Sequence, residues 1–194
     1  MRRAVFLDRD GTIIEAEGYL RDPSRARLLP GVLDALRTFR DLGMMLVVVS
    51  NQSGIPRGLI TPVQHAAVDA RVKQMLADEG VPLDAVYYCA HLPDGGCPCR
   101  KPLPGMLERA AREHAIELPR SFMVGDKMSD VAAGHAAGCV TALIGDAKVP
   151  WLTGHALPKV AQDASTAPSD SPQPDHRAAD WPSLLSSMEA SWKS

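Results

Sequence analysis

Residues 6–14 read FLDRDGTII. An apolar run from Ala4 to Leu7, with the composition of a buried strand, gives way at once to Asp8 and Asp10; Gly11 then relaxes the backbone and Thr12 adds a hydroxyl. On a continuing strand, positions i and i+2 share a face, so two bare carboxylates there would repel and one pKa would rise. A cation removes that conflict. Mg²⁺ prefers oxygen ligands and keeps several waters, so one carboxylate, a backbone carbonyl and a later acid suffice to hold it.

Outward from this stretch, short β-branched runs alternate with helical patterns. Strands are expected at 4–7, 45–49, 86–88, 122–124 and 140–144, and helices near 31–42, 62–79, 105–114 and 130–137. The second helix carries a start signal, with Thr61 as N-cap, Pro62 at the first helical position and Gln64 three after the cap. The alternation predicts an α/β, Rossmann-like parallel sheet with helices on both faces, and ligands beyond the carboxyl ends of its strands. The segment Ile13 to Pro30 is too short for a large cap domain. The expected organisation is one domain over 1–153, a Pro/Ser-rich flexible segment over 154–176, and a strand and helix over 177–194 that pack on the same domain.

A net charge of −2 and the lack of a basic stretch with interleaved aromatics argue against nucleic acid as a partner. The apolar run in MRRAVFLDRD is too short for a secretory segment, and nothing approaches a membrane span; a soluble, cytoplasmic monomer is expected. Cys89, His91, Cys97 and Cys99 form a Cys-x-His-x₅-Cys-x-Cys loop. Soft thiolates with one imidazole suit tetrahedral Zn²⁺, and four protein ligands leave no open position, so the zinc is structural. The loop runs directly into Arg100 and Lys101, which zinc would stiffen. Cys139 reads as a small buried residue, Met44 and Met45 as packing, and Trp151, Trp181 and Trp192 as docking the tail. His65, His114, His135 and His155 are expected to be solvated or to cap helices.

SNQSG follows the second strand at Ser50, CRKP the third at Cys99 and VGDKMSD the fourth at Val124, each where a strand delivers residues to the same edge. In this order they resemble the four motifs of the haloacid dehalogenase superfamily of phosphatases: Asp8-Arg9-Asp10-Gly11-Thr12, Ser50, Lys101, and Gly125-Asp126 with Asp130. Within it, residues 4–145 are most similar to the subfamily of heptose 1,7-bisphosphate 7-phosphatases and histidinol-phosphate phosphatases, with a weaker echo in ADWPSLL.

The resemblance implies Asp8 as nucleophile, Asp10 as general acid and base, and Ser50 and Lys101 as holders of the phosphoryl oxygens. It implies Mg²⁺ on Asp8, the Asp10 backbone carbonyl and Asp126, with Asp130 orienting Lys101, and the same four zinc ligands. It extends substrate contacts to Glu17, Gly18 and Tyr19 and to Asn51, Gln52 and Ser53. Arg57, Arg100 and Lys127 supply cations beyond the need of one phosphate, which favours a bisphosphate over histidinol phosphate, whose ammonium calls for a carboxylate; Glu17 weakens that preference. The expected activity is hydrolysis of the 7-phosphate of a phosphorylated heptose through an aspartyl-phosphate, on the route to nucleotide-activated heptose. Histidinol phosphate or another small sugar phosphate is the alternative. A phosphotransferase and a catalytically silent zinc module are two further readings, although every motif position is filled by a competent residue.

Overall fold

The computed structural model describes residues 1–145 and 172–192. Its sheet has six strands, β1 (Ala4–Leu7), β2 (Met45–Asn51), β3 (Ala85–Cys89), β4 (Phe122–Gly125), β5 (Val140–Ile144) and β6 (His176–Ala178), in the order β3-β2-β1-β4-β5-β6. Every pairing is parallel. Five α-helices accompany it: α1 (Val32–Asp41), α2 (Pro62–Asp78), α3 (Gly105–His114), α4 (Met128–Ala137) and α5 (Trp181–Trp192).

The strands alternate between two cores because a parallel sheet is buried on both faces. Val5, Leu7, Leu46, Val48 and Val124 face α1, α2 and α5, while Ala4, Phe6, Val47, Val49 and Met123 face α3 and α4. The chain leaves the central β1 towards β2 and β3, then returns to β4 on the other side of β1. That reversal opens a crevice at the carboxyl ends of β1 and β4, the usual ligand position in such sheets.

The α2 start signal forms a capping box: Thr61 Oγ1 accepts from Gln64 N at 3.1 Å, and Gln64 Oε1 accepts from Thr61 N at 2.9 Å. Strand β2 runs to Asn51, two residues past its sequence-based end, because Ser50 and Asn51 pair in register with Tyr88 and Cys89. The terminal strand begins at His176, inside the stretch read as flexible; Asp175 Oδ2 accepts from both N and Oγ1 of Thr141 at 2.8 Å and fixes the arriving chain to β5. Trp151, His155, most of the 154–176 segment and the Trp192 side chain lie outside the described residues. Met44, Met45 and Cys139 are buried as expected. No helix among the described residues is long and apolar enough to cross a membrane.

Candidate active site

A cleft of about 540 Å³ opens at the carboxyl edge of the sheet, lined by Asp8, Asp10, Gly18, Tyr19, Ser50, Asn51, Gln52, Ser53, Pro93, Arg100, Lys101, Pro102, Lys127, Ser129 and Asp130. Parallel strands bring these residues together from positions up to 122 apart in the chain. Asp8 directly follows β1, and its backbone N–H donates to Val124 O at 3.0 Å. The next residues turn sharply: the amides of Ile13 and Ile14 both donate to Arg9 O, and Gly11 sits at φ +89°. A Cβ at Gly11 would lie 2.4 Å from Asp126 Oδ2, so glycine meets both the backbone conformation and the close approach of this acid.

Lys101 is the hub. Its buried Nζ lies 3.1 Å from Asp8 Oδ1 and 2.6 Å from Asp130 Oδ1, and donates to Val49 O at 2.7 Å. Burial alone would push the Asp8 carboxyl up, but Lys101 and Lys127 outweigh it and hold the group below the ordinary carboxylate range. Burial would likewise lower Lys101, yet Asp130 and Asp8 raise it, so the ammonium persists. Asp130, deepest of the three acids, is pushed up to about 6 by burial. Burial also raises Asp126, with the Asp8 charge adding to the effect; Lys127 Nζ, 3.0 Å from Asp126 Oδ1, opposes it.

Asp10 has different company. Arg9, itself 3% exposed, donates to both its carboxylate oxygens, from Nη2 at 2.9 Å to Oδ2 and from Nε at 3.2 Å to Oδ1. Gln52 Nε2 donates to Asp10 Oδ2 at 2.8 Å and to Ser50 Oγ at 3.0 Å, linking the ends of β1 and β2. Arg9 went unassigned from sequence. Its only signal was its place between two acids at a strand end, where a buried charge needs a partner.

Two expected substrate contacts, Glu17 and Arg57, do not line the cleft, and a third, Asn51, lines it with its side chain bonded to backbone. Glu17 lines smaller pockets of about 320 Å³ outside the cleft, and its Oε2 pairs with Arg25 Nη2 at 2.8 Å. The Asn51 side chain is spent on backbone, donating to Lys101 O at 2.9 Å and accepting from Lys101 N at 3.1 Å. Arg57 is exposed and donates to the hydroxyl of Tyr19, which does line the cleft, at 3.4 Å. Two histidines expected to be solvated or capping are engaged instead. His65 is buried against the Tyr88 ring at 4.5 Å between centroids, and His114 Nε2 meets Tyr87 Oη at 3.1 Å.

Two clusters can hold metal. Carboxylate oxygens of Asp8, Asp126 and Asp130 lie within 4.8 Å of one another, a span that suits a hard, oxygen-ligated cation retaining water. In the second, Cys89 Sγ is 3.6 Å from Cys97 Sγ and 3.3 Å from Cys99 Sγ, Cys97 and Cys99 are 3.3 Å apart, and His91 Nδ1 lies 3.4 and 3.3 Å from Cys89 and Cys99. A tetrahedron with Zn–S bonds of ~2.3 Å has S···S edges of about 3.8 Å and S···N edges of about 3.5 Å, so the donor set fits a slightly expanded version of this cluster.

Comparison with known proteins returns the same architecture. The family model for haloacid dehalogenase-like hydrolases matches residues 5–138, and a HAD-hydrolase-like model matches residues 98–179. D-glycero-β-D-manno-heptose-1,7-bisphosphate 7-phosphatase from Yersinia pestis is 41% identical over 166 residues, covering 77% of this chain and 88% of that one. The enzyme of the same name from Escherichia coli K12 is 41% identical over 169 residues, with 84% and 85% covered. Among solved structures, D,D-heptose 1,7-bisphosphate phosphatase from B. bronchiseptica, complexed with magnesium and phosphate, superposes with a TM-score of 0.68 at 35% identity, covering 74% of this chain and 80% of that chain.

Proposed function

The chain belongs to the haloacid dehalogenase-like hydrolases, and on that premise we propose that it removes the 7-phosphate of D-glycero-β-D-manno-heptose 1,7-bisphosphate. The observation that carries this reading is the division of labour between its two leading acids. Asp8 is buried and held ionised between Lys101 and Lys127, the state a carboxylate nucleophile needs. Asp10 faces the same cleft from a separate network of Arg9 and Gln52, placed to pass a proton to the leaving alkoxide and take one from the attacking water.

In the proposed reaction, Asp8 attacks phosphorus, the ester oxygen leaves with a proton from Asp10, and water cleaves the aspartyl-phosphate as Asp10 recovers its proton. Ser50 and Lys101 hold the equatorial oxygens, a reaction in which placement and charge carry most of the catalysis. Asp8, Asp126 and the Asp10 backbone carbonyl would hold Mg²⁺, with Asp130 kept on Lys101. When bound, Mg²⁺ neutralises charge between nucleophile and substrate. Cys89, His91, Cys97 and Cys99 would hold structural Zn²⁺. That thiolate set needs a reducing compartment, and with the four cysteines unpaired in disulfides it supports action in the cytoplasm.

The substrate assignment follows the names of the Yersinia pestis and Escherichia coli relatives and the charge of the cleft. Arg100 and Lys127 line it beside Lys101, whereas Glu17, the acid that could have met an ammonium, is paired with Arg25 elsewhere. A second phosphate therefore suits the cleft better than the amine of histidinol phosphate. The product keeps its 1-phosphate, ready for nucleotide activation. The test compares phosphate release with Mg²⁺ from the β and α anomers and from histidinol phosphate. The expected result is a kcat/KM preference for the β anomer of about 100-fold over histidinol phosphate, about 2.7 kcal/mol of transition-state discrimination. Preference for histidinol phosphate, or no hydrolysis of any of the three, would overturn the assignment.

A further inference from the structure

The turn that carries Asp10 is held from an unexpected direction. Trp181, the first residue of α5, is 1% exposed, and its indole Nε1–H donates to the backbone carbonyl of Thr12 at 2.8 Å across 169 residues of sequence. Thr12 is completely buried. Its carbonyl therefore has no access to water, and the indole supplies the hydrogen bond such a group requires. The ring is itself fixed. It packs edge-on against Phe39 of α1 with centroids 6.5 Å apart, and a Cβ at Gly31 would lie 2.9 Å from Pro182 and 3.2 Å from Trp181. Asp180 caps the helix by accepting from Ser183 N at 2.9 Å.

We propose that Trp181 is a positioning residue for the Asp8–Asp10 turn, and that the C-terminal helix is thereby part of the active-site architecture. The turn has few internal bonds: Arg9 O receives the amides of Ile13 and Ile14, and Gly11 N donates to Ile14 O at 2.8 Å. These join residues of the turn to one another, and its flanks are tied outward by Asp8 N to Val124 O at 3.0 Å, Gln52 Nε2 to Asp10 Oδ2 at 2.8 Å and Leu29 N to Ile13 O at 2.9 Å. The bond to Trp181 ties the middle of the turn, at Thr12 and two residues from Asp10, to the start of α5. Releasing it lets the turn rotate about Gly11, moving the Asp10 carboxylate and carbonyl relative to Asp8.

The test uses the full chain with Mg²⁺ and compares Trp181→Phe, which keeps most of the apolar contact, with Leu184→Ala, which removes buried volume from the same helix and leaves the indole donor in place. Expected for Trp181→Phe is a native circular dichroism spectrum, amide hydrogen exchange over residues 10–14 faster by about tenfold, and kcat lowered by about ten- to a hundredfold with KM changed less than about twofold. Leu184→Ala is expected to lower the melting temperature at least as much while leaving exchange in the turn and kcat unchanged. If Trp181→Phe does not fold, replacing residue 181 with the benzothiophene isostere of tryptophan removes only the N–H donor, and the same readouts apply. Wild-type exchange and kcat in the donor-deleted protein, or equal effects from Leu184→Ala, would overturn the proposal. The kinetic arm rests on the phosphatase reading; the exchange arm does not, so an inactive wild-type protein would count against that reading alone.

Discussion

Asp8 and Asp10 are separated by a single residue, Arg9, yet their surroundings differ more than their spacing suggests. Lys101 and Lys127 serve Asp8, while Arg9 and Gln52 serve Asp10, so each acid keeps its own electrostatic setting within one cleft. Asp8→Asn is expected to abolish phosphate release while the circular dichroism spectrum stays native, because amide and carboxylate are nearly isosteric and only the proposed nucleophile is lost. Gly11→Ala tests the metal side of the same turn. An added Cβ displaces Asp126 and strains the left-handed backbone by roughly 1–2 kcal/mol. The expected outcome is a rise of about tenfold or more in the Mg²⁺ concentration for half-maximal activity, about 1.4 kcal/mol; an unchanged Mg²⁺ dependence would separate Asp126 from the metal site. The pair of acids, the glycine and Lys101 were legible from residue type and order. The partners of Gln52 and Asn51 were not, because a side chain's partner across 40 or 50 residues depends on strand register, and the pairing of Arg9 with Asp10 was not, because it depends on how the turn after β1 folds.

At the scale of elements, the segment between β3 and α3 carries two separate devices. The Cys/His loop brings Lys101 into place, and Arg100 Nη1 donates back to His91 O at 3.2 Å. The purified protein is expected to hold one zinc per chain, and Cys97→Ser to lose it and to melt at lower temperature; equal zinc content in the two proteins would refute the ligand assignment. Behind the loop, Tyr87 of β3 is pinned to α3, donating to Glu113 Oε2 at 2.6 Å with the Arg109 guanidinium 5.3 Å from its ring. Burial and the Glu113 carboxylate push its phenol up to about 12. Its contribution to stability is thus fully present below the ordinary tyrosine pKa of ~10 and is lost as pH rises towards 12. An absorbance titration is expected to show one of the three tyrosines ionising near 12, and Tyr87→Phe to remove that late step.

Across the whole molecule, the sheet is completed from both ends of the chain. β6 extends it beyond β5, and Trp181, Leu184 and Met188 of α5 fill the same core as β1 and α1. Each such side chain contributes at least about 1.5–3 kcal/mol on burial, together a large share of the roughly 5–15 kcal/mol that holds a domain folded. A chain ending at Gly145 is therefore expected to be aggregated or unfolded by circular dichroism, and a cooperative thermal transition at the full-length temperature would show that α5 is dispensable. By itself, the sequence determined the parallel α/β class, the position of most strands and helices, and the identity of the motif residues, since apolar periodicity, caps and side-chain chemistry are local properties of the chain. Only the tertiary structure decided that Glu17 turns to Arg25, that Asn51 holds the Lys101 backbone, that His65 is buried, and that an indole 169 residues away donates to the Thr12 carbonyl. Those outcomes follow from which face each strand presents and which helix covers it, and long-range packing sets both.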